Sequence, residues 1–462
     1  SNAMTTSDTT DRSQDGVPPL SFHQEFLCMF DSGNDGADVG PFGPMYHIVG
    51  AWRLTGGIDE ETLREALGDV VVRHEALRTS LVREGGTHRP EILPAGPAAL
   101  EVRDLGDVDE SERVRRGEEL LNEVESTGLS VRELPLLRAV LGRFDQKDAV
   151  LVLIAHHTAA DAWAMHVIAR DLLNLYAARR GNPVPPLPEP AQHAEFARWE
   201  REAAEAPRVA VSKEFWRKRL QGARIIGLET DIPRSAGLPK GTAWQRFAVR
   251  GELADAVVEF SRAAKCSPFM TMFAAYQVLL HRRTGELDIT VPTFSGGRNN
   301  SRFEDTVGSF INFLPLRTDL SGCASFREVV LRTRTTCGEA FTHELPFSRL
   351  IPEVPELMAS AASDNHQISV FQAVHAPASE GPEQAGDLTY SKIWERQLSQ
   401  AEGSDIPDGV LWSIHIDPSG SMAGSLGYNT NRFKDETMAA FLADYLDVLE
   451  NAVARPDAPF TS

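Results

Sequence analysis

The 462-residue sequence is poor in cysteine and lacks a long uninterrupted apolar run. Its four cysteines are widely scattered, without the Cys-x-x-Cys spacing of a zinc or redox site. The most apolar stretch, residues 149–169, holds His156, His157 and Asp161 near its middle, where a membrane span would bear a heavy desolvation cost. No signal peptide is recognisable. We therefore expect a cytoplasmic protein with reduced cysteines and no membrane span.

Positive charge is also in short supply. Lysine and arginine number 46 against 66 aspartates and glutamates, which gives a formal net charge of −20. Binding to nucleic acid or to an anionic membrane requires concentrated basic side chains. The charge balance therefore argues against both as partners.

The chain is longer than one hydrophobic core normally supports, so two lobes are expected. Residues 1–18 are interpreted as a tag remnant followed by a polar tail without a role in the fold. A proline-rich stretch at residues 183–190 suits neither a helix nor a central strand. We therefore place an N-terminal lobe at residues 19–188 and a C-terminal lobe at residues 189–462.

Strands and helices alternate in both halves of the chain, which predicts an α/β fold. The continuous apolar run at residues 149–157 predicts a central strand buried on both faces, and Asp59 is the predicted N-cap of a helix. The polar segment 376–409 predicts a long loop or an inserted hairpin. Apolar spacing predicts further strands at residues 46–54 and 288–293, and helices at residues 109–127, 163–176, 269–281 and 434–453.

The stretch His156-His157-Thr158-Ala159-Ala160-Asp161-Ala162 lies at a predicted strand-to-helix junction. Adjacent residues at a strand end point to opposite faces, so only one histidine can face a given cavity, and we assign that position to His157. A neutral imidazole there could accept a proton from an amine or hydroxyl, a role worth roughly 10²–10⁴-fold in rate. Asp161 could orient His157, or it could pair with an arginine to fix the loop.

Other interpretations of this cluster remain open. A histidine pair on a core strand can be purely structural, with its hydrogen bonds satisfied locally. A zinc site is a further alternative, although no third ligand with a recognisable spacing follows, and no metal is expected. The sequence contains no Gly-x-Ser-x-Gly elbow, no P-loop and no dinucleotide-binding glycine pattern.

Residues 156–162 resemble the HHxxxDG signature of nonribosomal peptide synthetase condensation domains, which other CoA-dependent acyltransferases share. The Arg-His-Glu-x-Leu-Arg-Thr element at residues 73–79 favours condensation enzymes, because plant-type acyltransferases would show Asp-Phe-Gly-Trp-Gly, which is absent. Further matches follow in the order of the family at residues 21–24, 195–199, 285–289, 297–298, 307–312, 343–347 and 427–429. The resemblance runs from about residue 19 to 455.

The resemblance implies two chloramphenicol-acetyltransferase-like lobes in a V-shaped pseudo-dimer, with a central channel and the histidine signature at its middle. It also implies that no cofactor is bound, because the phosphopantetheine arm of a carrier protein presents the donor. The two reactants would enter from opposite mouths of the channel, which is catalysis largely by proximity.

The resemblance also suggests roles for single residues. His157, His156 and Asp161 are the candidate catalytic residues, and Asp161 is expected to anchor the site by pairing with Arg298. Arg73 and Arg78 are expected to form structural ion pairs within the first lobe. The candidate channel-lining residues are Ala162, Trp163, Ser309 and Asn312.

The sequence departs from the family pattern at three positions. Ala162 replaces the final glycine of the signature, so the loop must adopt an ordinary conformation or carry strain. Phe26 and His193 stand where the family usually has arginine and tyrosine. The methyl group of Ala162 could also alter the path of the acceptor.

The sequence shows no adenylation signature and no carrier-protein Gly-Gly-x-Ser. The expected function is therefore that of a freestanding condensation enzyme in natural-product biosynthesis. It would transfer an acyl or aminoacyl group from a carrier protein in trans to a small amine or alcohol. The alternatives are a CoA-dependent O-acyltransferase of the same fold and a catalytically silent module that docks carrier proteins.

Overall fold

The computed structural model describes residues 16–31, 40–377 and 381–460, so residues 1–15 of the predicted tail lie outside the described residues. The first half contains α1 (Phe22–Cys28), β1 (His47–Thr55), α2 (Glu60–Arg73), β2 (Thr79–Glu84), β3 (Thr87–Ile92), β4 (Ala99–Asp104), α3 (Glu110–Glu125), β5 (Leu137–Asp145), β6 (Asp148–His156) and α4 (Ala162–Arg179).

The second half begins after a segment, residues 183–190, that contains neither helix nor strand. Its elements are α5 (His193–Ala203), α6 (Pro207–Arg219), β7 (Gly227–Glu229), β8 (Thr242–Val249), α7 (Gly251–Ala263), α8 (Pro268–Thr284), β9 (Asp288–Ser295), β10 (Asn312–Asp319), α9 (Phe326–Thr342), α10 (Phe347–Leu350), β11 (His366–Ala373), β12 (Glu383–Ala385), β13 (Leu388–Lys392), β14 (Val410–Ile416), β15 (Met422–Asn429) and α11 (Asp435–Ala454).

The first lobe is built on a six-stranded sheet with the strand order β12-β13-β1-β6-β5-β4. Strand β6 lies inside this sheet because its run of valine, leucine and isoleucine leaves no polar face for water. Helices α2 and α4 pack on one face of the sheet, and α3 packs on the other. The predicted central strand at residues 149–157 is therefore confirmed.

Two strands of the first sheet come from the second half of the chain. Strand β13 runs antiparallel to β1, with Trp52 opposite Lys392, and β12 pairs with β13 as a hairpin. The polar segment 376–409 thus contains the hairpin that was one of two alternatives for it. Residues 383–392, which we had assigned to the C-terminal lobe, complete the sheet of the first lobe instead.

The second lobe contains a five-stranded sheet with the order β7-β11-β14-β15-β8 and a separate antiparallel pair, β9 and β10. Helices α7, α8, α9 and α11 share one large hydrophobic core with these strands. The combination of sheets and covering helices confirms the α/β prediction. Within the described ranges, no helix has both the length and the apolarity needed to span a bilayer.

Capping residues determine where helices α2 and α8 begin or end, close to the positions that the sequence predicted. The Asp59 side chain accepts a hydrogen bond from the backbone N–H of Thr62 at 3.0 Å, which satisfies a free donor at the start of α2. Helix α8 begins at Ser267-Pro268 and ends at Gly285, whose φ of 77° is a left-handed conformation that glycine adopts without strain.

The segment that follows β13 is held against the first lobe by buried charges. Arg396 donates to Glu125 Oε1 at 2.6 Å, and Arg246 Nη2 lies 3.7 Å from the same oxygen. Burial opposes ionisation of Glu125, but Arg396 and Arg246 lower the pKa of this carboxyl to about 2. Because β8 carries Arg246 and α3 carries Glu125, the cluster joins the two lobes.

Replacing Arg396 with methionine should therefore destabilise the protein strongly. It would leave Glu125 buried with a single distant cation, and breaking a buried pair typically costs about 3–5 kcal/mol. Arg103→Met is the matched control, because its pairs with Glu101 and Glu123 lie at the surface, where such pairs contribute about 1 kcal/mol or less. Urea denaturation followed by circular dichroism measures both, and equal losses would contradict the assignment.

Candidate active site

Two cavities meet between the lobes. The larger, of about 510 Å³, is lined by β1, by the start of α4 and by strands of the second lobe, and the smaller is about 450 Å³. Both are bordered by five residues of the second lobe: Gly297, Arg298, Asn299, Ile311 and Glu344. We call these shared residues the neck, because they place the two cavities next to each other.

His157 follows the last residue of β6 and lines the larger cavity. Its backbone N–H donates to the carbonyl of Tyr46 at 2.9 Å, and its ring stacks on the Tyr46 ring with the centroids 4.9 Å apart. Nδ1 is buried and has no hydrogen-bond partner among the described residues. Because Nδ1 is buried, Nε2 is our candidate for the ring nitrogen that meets a reactant.

Burial lowers the pKa of His157 below its ordinary value of 6.5. Interactions with its own backbone, with Asp161 and with the backbone of Ala160 oppose this shift only in part. The imidazole is consequently neutral at pH 7, which is the state that a proton acceptor requires.

His156 points the other way and is sealed in the protein. Its side chain is fully buried, with Nε2 2.8 Å from the Gly43 carbonyl and Nδ1 3.0 Å from the Thr158 hydroxyl. Burial lowers the pKa of His156 to about 3, so it stays neutral. The geometry separates the neighbours as the strand rule predicts: His157 faces the cavity and His156 supports the loop.

Asp161 caps α4 and binds across the lobe junction. Its Oδ1 accepts hydrogen bonds from the Ala164 backbone at 2.9 Å and from Arg298 Nη2 at 3.0 Å, and its Oδ2 accepts one from the Phe310 backbone at 2.9 Å. Neither oxygen binds His157. The pair with Arg298 is the contact that we expected, so Asp161 positions the loop and does not hydrogen-bond to the imidazole.

Arg298 is buried and is held by several contacts. Besides Asp161 it donates to the carbonyls of Phe303 at 2.9 Å and Thr306 at 2.8 Å, and its guanidinium lies 4.0 Å from the centre of the Phe310 ring. The glycine before it is obligatory: Gly297 has a φ of 72°, and a β-carbon there would come within 1.9 Å of the Phe310 carbonyl oxygen.

Ala162 and Trp163 both line the larger cavity, as expected of channel-lining residues. Ala162 is the first residue of α4, and its backbone is not in the left-handed region, so the missing glycine imposes no strain. The Trp163 indole donates to the Glu304 carbonyl at 2.7 Å, which ties α4 to the second lobe.

Ser309 and Asn312 differ in their surroundings. Asn312 lines the smaller cavity, where its side chain donates to Glu344 Oε2 and to the Leu345 carbonyl, both at 2.9 Å. Ser309 is buried and lines neither of these cavities, and its hydroxyl has no partner among the described residues. Its expected place in the channel lining is therefore wrong for these two cavities.

Arg73 and Arg78 lie within the first lobe, away from both cavities. Arg73 Nε donates to the buried Asp171 at 2.9 Å, which is the expected kind of ion pair. Arg78 forms none among the described residues: it donates to the backbone carbonyls of Val71, Val72 and Leu93. Its planar group, with several donors, suits the free carbonyls at the end of α2.

Other groups at the cavities were not anticipated as site residues. Tyr46 stacks on His157, His23 lines the smaller cavity with an unpaired Nε2, and His375 lines the larger one. Only the first sequence match, residues 21–24, pointed toward one of them. Among the described residues, no cluster of three or more histidine, cysteine or acidic side chains could hold a metal ion.

Comparisons with known proteins place this fold and site in a family. A family model described as "Condensation domain" matches residues 36–462. Two curated relatives are each 31% identical to this chain, phosphinothricin tripeptide synthetase PhsC of Streptomyces viridochromogenes and a dimodular nonribosomal peptide synthase of Bacillus subtilis. Each alignment covers 95% of this chain, but only 39% of the first relative and 18% of the second.

A solved complex of the X-domain and OxyB from teicoplanin biosynthesis contains a chain with a similar fold. It superposes with a TM-score of 0.71 at 24% identity, and the alignment covers 97% of this chain and 96% of that one. The two-lobed α/β architecture is thus that of condensation domains. Because the family model spans most of the sequence, this chain belongs to the condensation domain family.

Asp161→Ala and Arg298→Met should each destabilise the junction, because each leaves the partner charge buried and unpaired, at a cost of about 3–5 kcal/mol. The double variant should lose less than the sum of the two, with a coupling of about 0.5–3 kcal/mol. Urea denaturation of all four proteins measures this cycle. Strictly additive losses would show that the pair does not link the lobes.

Proposed function

We propose that this chain transfers an acyl or aminoacyl group from a carrier-protein thioester to an amine or alcohol, with His157 as the general base. The observation that supports this most is the neutral imidazole of His157 on the wall of the larger cavity, which shares its second-lobe neck with the smaller one. Burial keeps His157 neutral, and the two cavities border the same residues of the second lobe. The resemblance of this chain to parts of peptide synthetases supplies the thioester chemistry.

In the proposed step, the amine or hydroxyl attacks the thioester carbonyl while its proton passes to Nε2 of His157. A carbon–nitrogen or carbon–oxygen bond forms, the carbon–sulfur bond breaks, and the imidazolium returns its proton to the departing thiolate. The products are an amide or ester and the free phosphopantetheine thiol. Much of the acceleration would come from holding both reactants at the neck.

In this proposal the carrier protein acts in trans. This chain spans less than two fifths of the relatives described above, so a tethered carrier is the alternative arrangement. Two other functions compete with transfer from a carrier: use of free acyl-CoA, and docking of a partner without catalysis. The structural relative solved with OxyB illustrates docking in that protein.

His157→Ala should lower product formation at least about tenfold while leaving the fold intact, because it removes the proton acceptor. The assay supplies a donor loaded on the carrier protein, or the same acyl group on CoA, and follows the product by mass spectrometry. The surface variant Arg103→Met is the control and should keep the rate of the unaltered protein. An unchanged rate in His157→Ala would mean that this imidazole is not the base and would favour docking, and equal rates with free acyl-CoA would favour the CoA-dependent alternative.

The pH profile of kcat should carry the signature of His157. Because the pKa of His157 is lowered from 6.5, the base stays unprotonated below that pH, and the acid limb of kcat should have its midpoint under 6.5. The limb should vanish from the residual activity of His157→Ala. A midpoint at or above 6.5 would contradict the burial that the structure gives this ring.

A further inference from the structure

Lys392, at the end of β13, extends into the larger cavity. Its Nζ lies 4.3 Å from the centre of the Trp52 ring, on the strand opposite. It also lies directly over Gly50, because a β-carbon on Gly50 would stand 2.7 Å from this nitrogen. The glycine therefore leaves room for an amino group on the cavity wall, where any larger residue would displace it.

Lys392 has no counter-ion within the part of the chain that the structure describes. Among the described residues, no acceptor forms a hydrogen bond or ion pair with Nζ. The groups that face it are His166 on α4, His415 on β14 and Arg396 beyond β13. Burial, and then repulsion from Lys392, lowers the pKa of His166 to about 3 and that of His415 to about 4, so both imidazoles are neutral. Lys392 is half-buried, and an amino group that is partly removed from water without an anion favours a partner from elsewhere.

The position of Lys392 sets the size of that partner. Gly50 is four residues from Tyr46, whose carbonyl binds the backbone of His157, so strand geometry puts about 13 Å between the two ends. A hydrogen bond of about 3 Å to Nζ and an approach of about 3–3.5 Å at the imidazole leave about 7 Å. That is the span of one aromatic ring with two or three attached carbons.

The walls around Lys392 are flat and aromatic. Trp52 packs edge-on against His166 with the ring centroids 5.8 Å apart, and Trp394 stacks on His415 at 5.2 Å. Trp394, His166 and His415 all line the same cavity. Such walls favour a planar, aromatic skeleton over a flexible chain.

We propose, building on the transfer function above, that Lys392 selects a reactant whose aromatic skeleton ends in an acidic oxygen, either a carboxylate or an acidic phenol. The oxygen binds to Nζ while the reacting carbon or heteroatom lies at His157. Lys392 is thus a specificity-determining residue and takes no part in bond formation.

The proposed contact depends on pH in a defined direction. Burial, with a further contribution from Arg396, lowers the pKa of Lys392 from 10.5 to about 7. Below this pH the amino group is charged and attracts the anion. Above it the charge is lost, so affinity for the anion should fall about tenfold for each further pH unit, until only the neutral hydrogen bond remains.

Three small probes test the proposal by isothermal titration calorimetry on the full chain: 4-ethylbenzoate, the fully ionised nitrophenol 4-ethyl-2,6-dinitrophenol and the neutral 4-ethylbenzamide. Near pH 6, the benzoate should bind at least about tenfold more tightly than the amide. Lys392→Met should abolish this preference while leaving amide binding unchanged, and the preference should shrink near pH 8.5. A preference for the nitrophenol as well extends the site to acidic phenols, and its absence restricts the site to carboxylates.

Lys218→Met is the matched control, because this lysine is exposed and far along the chain in α6. It should keep the full preference. Equal binding of benzoate and amide to the unaltered protein, no benzoate binding at all, or a preference that survives Lys392→Met would each overturn the proposal. None of these readings needs turnover, so a failure of the transfer function would show in the His157→Ala assay and not here.

Discussion

The contact between Asp161 and Arg298 is the constraint on which the site depends. Asp161 starts the helix that follows the histidines, and Arg298 belongs to the loop after β9 in the other lobe. Their ion pair therefore fixes where the imidazole of one half stands relative to the neck built by the other. Three backbone carbonyls accept hydrogen bonds from the guanidinium and the Phe310 ring lies against it, which offsets much of the cost of burying its charge. The aspartate of the histidine signature therefore joins the two lobes and does not take part in the chemistry.

The two histidines have different roles, because adjacent residues at the end of a strand point in opposite directions. His156 supports the loop, and His157 faces the cavity. His156 is immobilised by Gly43 and Thr158, and this fixes the backbone on which His157 stands. Burial keeps both rings neutral, but only His157 retains a nitrogen toward the cavity. The same desolvation that would make a charged histidine unstable here makes a neutral one available as a base.

Sequence patterns predicted the local elements well, because caps and apolar spacing act within a few residues, as Asp59 and the run in β6 show. They also predicted the pair of Asp161 with Arg298, through motif order alone. They could not predict that β13 joins the first sheet, since strand pairing across more than three hundred residues leaves no local signal. Lys392 was missed for the same reason. Arg78 was assigned an ion pair because its charge is visible in the sequence, whereas the free carbonyls that it binds are not.

The β12–β13 hairpin, which comes from the second half of the chain and joins the sheet of the first lobe, brings a basic group to the cavity of an acidic protein. The protein has a net charge of −20, yet the larger cavity contains Lys392, Arg246, Arg298 and Arg396. Arg298 is neutralised by Asp161, and Arg246 and Arg396 share Glu125. Of these four cations only Lys392 has no acidic partner among the described residues. The crossing that completes the sheet thus also places Lys392 on the cavity wall, where its charge can attract an anion.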